Sequence, residues 1–368
     1  MNIVFLKLYI TREINNTFYN SQEIGLAKAV TYIHPEHRVD IILLSKACVQ
    51  EEAYGISDRI TVHVFPAKGI GHHGILDLSI LLKMKADLVH LLADNMLYAP
   101  SVIRYCKKNS IMCHLYIGTL YTDSNNWIKK VANKALIGRN IKAYRAVPVY
   151  VKTPAVQNQC KKHGIDAKLA PVGIGVEDTT LSVQSVQEIR DEYGIPMEKK
   201  VMLFVGRLES YKHPYDALEL LEKLDDSHYL LIVGKGALES DFEQMIFDKK
   251  LTGRVTLLQT VPNVKMRNLY KACDYYVNFN PDEIYGMAIL EAMCHRCPVI
   301  AINAPGPEFM INNGENGYIC ESWESMYDII TMLDNDKELA ATIADSARTR
   351  ILSDFVWDKV AGCFEDFE

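Results

Sequence analysis

The sequence contains no apolar run long enough to cross a bilayer; its longest runs, such as Ile41–Leu44 and Leu230–Val233, are strand-sized. Met1–Leu6 is apolar, but Lys7 and Arg12 follow too early for a secretory h-region. No small-residue cleavage site appears, so the segment reads as a first buried strand. Cysteine supplies no framework. The nine residues Cys48, Cys106, Cys113, Cys160, Cys273, Cys294, Cys297, Cys320 and Cys363 are odd in number and scattered, which argues against disulfides and for a reducing cytoplasm. Only Cys294 and Cys297 have CxxC spacing, and with no second pair a zinc site is not expected. Tandem repeats and low-complexity tracts are also missing. What is there is globular: 49% hydrophobic and 23% charged residues over 368 positions, enough for two cores.

The net charge of −6 hides an asymmetry, because residues 1–178 carry 22 basic and 14 acidic side chains and the remainder 18 and 32. A basic half suggests an anionic partner. No aromatic-basic interleaving supports nucleic acid, so a phosphate-bearing acceptor or an anionic membrane surface fits better.

Short β-rich runs alternate with helical patterns almost throughout. Strands are expected at Ile3–Leu6, Val39–Leu44, Ile60–Phe65, Asp87–Leu92, Ile111–Ile117, Val147–Val151 and Lys168–Pro171. A second series covers Val201–Val205, Tyr229–Val233, Arg254–Leu257, Tyr275–Asn278, Val299–Ile302 and Tyr318–Cys320. Helical patterns include Gln22–Ile33, Tyr215–Leu224, Ala237–Lys249, Met287–Met293 and Lys337–Leu352. This rhythm predicts an α/β fold of two doubly wound parallel sheets, with the boundary near Gly173–Ser185: one domain over 1–178 and a second over 179–352. Ligands of open α/β sheets bind beyond the carboxyl ends of strands, so two such domains facing a central cleft would share one site.

Two motifs follow strands of the second half. After Val201–Val205 comes Gly206-Arg-Leu-Glu-Ser-Tyr-Lys-His-Pro, where Gly206 permits close backbone approach and Pro214 suits a first helical turn. Arg207 and Lys212 are either two cations for a diphosphate or surface residues of a loop. After Tyr275–Asn278 comes Pro281-Asp-Glu-Ile-Tyr-Gly-Met-Ala-Ile-Leu-Glu-Ala-Met. A helix starting at Gly286 would aim free N–H groups at an anion. Were the whole segment helical, Glu283 and Glu291 would lie about 12 Å apart at a ~1.5 Å rise. That exceeds the ~5–9.5 Å of a glycosidase acid/base pair. The two acids would instead accept hydroxyls of two sugars, or else flank a helix in solvent.

These segments, with Val233-Gly-Lys-Gly236, Pro298-Val-Ile, Pro305-Gly-Pro-Glu and Asn316-Gly-Tyr, resemble the signature of retaining family 4 glycosyltransferases, of bacterial surface-glycan type. The resemblance runs over essentially the whole chain. It implies the GT-B fold, two Rossmann-like domains, the first for the acceptor and the second for a nucleotide-sugar donor. Pro171-Val-Gly-Ile-Gly-Val-Glu resembles the inter-domain strand end, and Phe355-Val-Trp357 the start of a last helix, 353–368, crossing back to the first domain. By the resemblance Arg207 and Lys212 bind the donor diphosphate, Glu283 the transferred sugar and Glu291 the ribose. Gly206, Gly234, Tyr285 and the backbone of Gly286, Met287 and Ala288 complete the donor set, and Met266 and Leu269 approach the base. The first half departs from the family. Its loop after the first strand reads Thr17-Phe-Tyr-Asn-Ser-Gln-Glu-Ile-Gly rather than carrying a Gly-Gly pair, though Asn20 with Glu23 fits a capping box. Where the pattern has His-Gly, this chain has Ile117-Gly118-Thr119, and His114 reads as a strand residue. Asn20, Ser21, Gly118 and Thr119 are the acceptor-side candidates.

The expected activity is metal-independent transfer of a sugar, with anomeric retention, from a nucleotide diphosphate sugar, a UDP-sugar favoured, to a glycan, lipid-linked or polymer acceptor in cell-surface polysaccharide synthesis. No cofactor, metal or nucleic acid is expected. The rivals are a sugar-nucleotide epimerase or hydrolase on the same fold, and a non-catalytic sugar-nucleotide binder. Three other motifs carry less. Gly69-Ile-Gly-His-His-Gly74 matches GxGxxG but lacks the first-strand setting, and reads as a flexible loop. Asp334-Asn-Asp336 reads as a helix cap rather than a metal site. The basic stretch 127–145, with Ile128, Val131, Ala135 and Tyr144 on one side, fits a helix packed on the sheet or peripheral contact with the inner face of an anionic membrane.

Overall fold

A computed structural model describes residues 1–11, 21–121 and 127–367, with the side chains of 128–130 and 132 left aside. The first strand, β1 (Asn2–Thr11), is apolar on both faces as far as Leu6, and it lies inside a sheet. Around it stand β2 (Arg38–Ser45), β3 (Glu52–Ser57), β4 (Ile60–Pro66), β7 (Leu88–Leu92), β8 (Met112–Ile117), β9 (Val149–Val151) and β10 (Ala167–Leu169). Between them β5 (Lys68–Ile70) and β6 (His73–Ile75) form a hairpin. The order is β10-β9-β8-β7-β1-β2-β4-β3, parallel except where edge strand β3 runs against β4. Strand order reverses between β1 and β7, which pair from Ile3↔Leu88 to Lys7↔Leu92.

The second sheet holds β11 (Lys200–Val205), β12 (His228–Val233), β13 (Val255–Leu258), β14 (Tyr275–Asn278), β15 (Val299–Ile302) and β16 (Tyr318–Cys320). Its order, β13-β12-β11-β14-β15-β16, is all parallel and reverses between β11 and β14, the arrangement of a dinucleotide-binding sheet. Every residue of β12 is buried, as helices on both faces require. Met202, Leu218, Leu230, Phe242, Ile300 and Ile330 belong to one apolar core there.

Two compact units result: Met1–Gly173 with Trp357–Glu368, and Ile174–Val356. The first break falls at Gly173, earlier than the expected 178. The helix Lys337–Asp354 runs past the expected 352, and an isolated bridge between Ile174 and Val356 follows it. In place of one closing helix there is a short helix, Trp357–Ala361, and a 3₁₀ turn, Glu365–Phe367. Trp357 locks this segment into unit 1 between two glycines. A Cβ on Gly25 would lie 2.1 Å from its Nε1, and one on Gly173 within 2.7 Å of its ring.

Several local expectations change. The helix Gln22–Ile33 is capped by Ser21, whose side chain accepts from the Ile24 N–H, so the cap sits one residue beyond Asn20. Asn20 itself lies outside the described residues. Residues 68–75 are a strand pair joined to β1 through Tyr9↔His73, not a flexible loop; the sequence reading missed it because Gly69 and Gly71 mark a turn rather than disorder. On the helix Trp127–Tyr144 the inward stripe is Ile137, Asn140 and Tyr144, while Val131 and Ala135 are exposed. The apolar count misplaced that face, because Asn140 is buried by donating to Asn95 Oδ1 and the Met96 carbonyl. No helix among the described residues is long and apolar enough to cross a membrane.

Candidate donor site

In unit 2 the strands flanking the reversal, β11 and β14, deliver the two charged motifs. After β11 the chain leaves through Gly206, whose N–H bonds the Val233 carbonyl at 3.0 Å. Two glycines after β12 let that strand's loop press against this one. A Cβ on Gly234 (φ +157°) would lie 1.8 Å from the Gly206 carbonyl oxygen, and one on Gly236 would lie 2.3 Å from that of Leu208. The loop then makes a 3₁₀ turn, Ser210–Lys212, and His213 adopts a left-handed conformation (φ 51°, ψ 48°) before Pro214 opens the helix Pro214–Lys223. A non-glycine residue held there stores strain.

Arg207 and Lys212 flank one ring, each with its charge 5.4 Å from the centre of Tyr211. Lys212 Nζ lies 2.5 Å from Glu283 Oε2, with the two side chains only 18% and 14% exposed. The same oxygen accepts from Asn280 Nδ2 at 3.2 Å, and the Glu283 carbonyl accepts from the Gly306 N–H at 2.8 Å. Arg207 reaches into solvent.

Glu283 and Glu291 do not share a helix. Gly286 is left-handed (φ 87°, ψ 71°) and starts the helix Met287–Cys294, so Glu283 sits in the loop before it and Glu291 inside it. A Cβ on Gly286 would lie 3.2 Å from Glu283 Cγ, which places the helix start against that carboxylate. No side chain caps the helix, and the N–H groups of Met287 and Ala288 have no hydrogen-bond partner among the described residues. Two cations, one carboxylate and two open amides therefore lie in the loops that follow the two strands at the reversal, groups able to hold a diphosphate and hydroxyls. Glu291 accepts from the Tyr270 hydroxyl at 3.0 Å. Tyr285 is buried, with its carbonyl oxygen where a Cβ on Gly306 would be 2.2 Å away. Met266 and Leu269 are buried on the helix Asn263–Ala272. Sequence reasoning missed Tyr211 and Asn280, since nothing in their spacing marks them.

The remaining candidates separate. In unit 1, Gly118 and Thr119 follow β8 and both donate backbone N–H to Asp94 Oδ1, at 2.6 and 3.2 Å. His114 is wholly buried in β8, bonded through Nδ1 to Asp366 at 2.9 Å and through Nε2 to His90 Nδ1 at 2.6 Å. Burial holds both imidazoles below their ordinary pKa, and the His114 bond lowers that of Asp366. A neutral His114 with its proton on Nδ1 thus accepts from His90. Asp334 is a hub for His228, Lys200 and the Tyr275 hydroxyl, whereas Asp336 caps the helix Lys337–Asp354. Cys294 and Cys297 are buried free thiols. Among the described residues, one group could hold a metal ion: His34, Glu36 and His37 in unit 1, where His37 Nε2 bonds the Phe367 carbonyl at 2.9 Å.

Residues 185–350 match the family model described as glycosyl transferases group 1. A putative teichuronic acid biosynthesis glycosyltransferase, TuaC of Bacillus subtilis, is 26% identical over 54% of this chain and 50% of its own length. A D-inositol 3-phosphate glycosyltransferase of Corynebacterium diphtheriae is 29% identical over 46% of this chain and 43% of its own. The chain spans about half the length of the curated relatives it matches. Among solved structures, Anabaena HepE in complex with UDP superposes with a TM-score of 0.77 at 18% identity, covering 98% of both chains. WaaG, a glycosyltransferase involved in lipopolysaccharide biosynthesis, gives 0.71 at 18% identity and 98% of both. These likenesses show the fold, GT-B, with its two Rossmann-like units.

Proposed function

We propose that this chain, whose residues 185–350 are a glycosyl transferases group 1 domain, transfers a sugar from a nucleotide diphosphate, UDP-sugar favoured, to a glycan, lipid-linked or polymer acceptor. The observation that carries it is the meeting of Lys212, Glu283 and the uncapped Met287–Ala288 amides at the strand-order reversal of unit 2. HepE has been crystallised with UDP-glucose, and TuaC is named for teichuronic acid biosynthesis, which supports the donor class and a surface-glycan acceptor. When a sugar leaves its diphosphate, negative charge grows on the leaving phosphate and positive charge on the anomeric carbon. Lys212, Arg207 and the helix start stabilise the former in a pre-arranged setting, worth ~10²–10³ in rate for one such donor. Glu283 accepts hydroxyls of the departing sugar and Glu291 those of the ribose. In this reading retention proceeds at the front face without a metal; product anomeric coupling and turnover in EDTA check these two points.

A thermal-shift and calorimetric screen of UDP, GDP and ADP tests the reading. A matching diphosphate at about 100 Kd stabilises unit 2 by ~2.7 kcal/mol, and failure of all three ends the assignment. Donor incubated alone separates the rivals: a freed or isomerised sugar without acceptor indicates a hydrolase or epimerase.

The basic surface fits peripheral contact with an anionic bilayer. Residues 95–165 hold twelve Lys and Arg and one acidic residue, and exposed Trp127 and Val131 lie on the same helix as exposed Lys134, Arg139 and Lys142. Sedimentation with phosphatidylglycerol but not phosphatidylcholine vesicles is the expected result.

A further inference from the structure

In unit 1 the turn that joins the helix Gln22–Ile33 to β2 carries three ligating side chains, His34, Glu36 and His37. Its sequence is His-Pro-Glu-His, closed by a bond from the His37 N–H to the His34 carbonyl at 3.0 Å. Pro35 at the second position fixes φ, and Arg59 grips the backbone, donating to the Pro35 carbonyl at 2.9 Å and to that of Thr31 at 3.2 Å. The turn therefore holds the two imidazoles face to face, with centres 5.0 Å apart and planes at 17°. Glu36 reaches both, its Oε1 lying 3.0 Å from His37 Nδ1 and 3.9 Å from His34 Nδ1. One ligand atom from each of the three lies within 4.8 Å of the others.

The two ring nitrogens of His37 have different work. Nε2 meets the Phe367 carbonyl at 2.9 Å, and a carbonyl only accepts, so Nε2 carries the proton of the neutral ring. The lone pair then sits on Nδ1, 3.0 Å from a carboxylate oxygen, and two acceptors in contact call for a cation or a proton between them. The Met1 nitrogen, 3.2 Å from the same atom, is a donor that an incoming ion would displace. An imidazole with one nitrogen donating to a carbonyl and the other turned toward further ligands is the arrangement of metal-held histidines. His37 is buried, His34 half-buried and Glu36 exposed, so an ion has an open route to all three.

We propose that His34, Glu36 and His37 bind a divalent ion of the zinc class, which fastens the closing segment of unit 1. Two imidazoles and one carboxylate suit a borderline ion, whereas magnesium and calcium take oxygen ligands. Tetrahedral zinc with bonds of ~2.0–2.1 Å sets its ligands ~3.3 Å apart, which side-chain rotation reaches from the 3.0 and 3.9 Å seen here. Water completes the coordination. An ion on Nδ1 polarises the Nε2–H and strengthens its bond to the Phe367 carbonyl. The Phe367 ring is buried 5.9 Å from that of Phe5 and 5.8 Å from that of His90, so the ion secures from outside what these rings pack inside. The turn stands at the amino end of β2, and open sheets take substrates at carboxyl ends, so the ion is structural and has no part in the proposed transfer.

The test is calorimetric titration of the full, untagged chain, stripped with EDTA and desalted, with zinc chloride and with magnesium chloride. One equivalent of zinc should bind saturably and magnesium should not. His34→Gln and Glu36→Gln each remove one ligand from an accessible turn, so the fold survives, and each should weaken zinc by at least the ~10–100-fold that losing an outer-shell partner costs. With zinc at about 100 Kd, one melting transition of the native chain should rise by about 5–10 °C, and those of the variants by about half as much or less at the same concentration. Cobalt separates this site from the nine free thiols, since cobalt on nitrogen and oxygen gives visible bands without sulfur charge transfer. No saturable zinc binding, a cobalt spectrum dominated by sulfur, binding unmoved by both variants, or binding that leaves every melting transition in place overturns the proposal.

Discussion

Replacing Lys212 with Met removes one member of a pair withdrawn from water. Glu283 is 14% exposed and, among the described residues, its side chain would keep the Asn280 amide alone, at 3.2 Å. Stranding a buried charge in this way costs about 3–5 kcal/mol, against 0–1 kcal/mol for an exposed pair, so about 3 kcal/mol is expected here. Glu283→Gln strands the ammonium at a similar cost. In the double variant no charge remains, and its loss should fall below the sum of the singles by about 1.5–3 kcal/mol. Urea unfolding of the four proteins gives that coupling. Calorimetry with UDP gives the second measurement: in Lys212→Met, affinity should drop about a hundredfold, because the proposed function makes the ammonium a charge-assisted donor to the diphosphate. Additive stability losses together with unchanged UDP affinity would refute the reasoning.

Unit 1 should lose stability as pH falls. His90 and His114 are buried with depressed pKa values, so their contribution is complete above about 6.5, the unfolded value, and is lost as pH drops from there toward the folded values. Asp366, also depressed, adds a second loss below about 3.8. Melting followed from pH 8 to 4 should show the first phase, and His114→Phe should flatten it. Gly25→Val should displace Trp357, whose Nε1 lies 2.1 Å from even a single Cβ carbon there. A loss of about 3–5 kcal/mol and a red-shifted tryptophan emission are expected; an unshifted spectrum counts against the lock.

Local chemistry was legible where one short segment decides it. Gln22–Ile33 emerged with its bounds because an apolar period begins just after polar cap residues, and the helix start at Gly286 because only glycine suits that backbone. The strand series of unit 2 was legible for the same reason, apolar runs between turn signals. What the sequence hid is pairing across distance. Lys212 and Glu283 are 71 residues apart and become partners only through the order β11-β14. His114 looked like an ordinary strand residue because its partner, Asp366, lies 252 positions on. Asp94, which takes the Gly118 and Thr119 amides, stood in no motif at all.

Unit 1 is closed by residues that follow the whole of Ile174–Val356: Trp357 fills the slot between Gly25 and Gly173, and the carbonyl of Phe367 meets His37. On the ribosome the usual order is therefore inverted. The domain begun first must wait, roughly ten to forty seconds at elongation rates of ~5–20 residues per second, while the later one is synthesised and is free to fold as an uninterrupted stretch. During that interval the rings of Phe5 and His90 lack the Phe367 ring that packs against them, so it is the nascent first half, and not the uninterrupted second, that is left open.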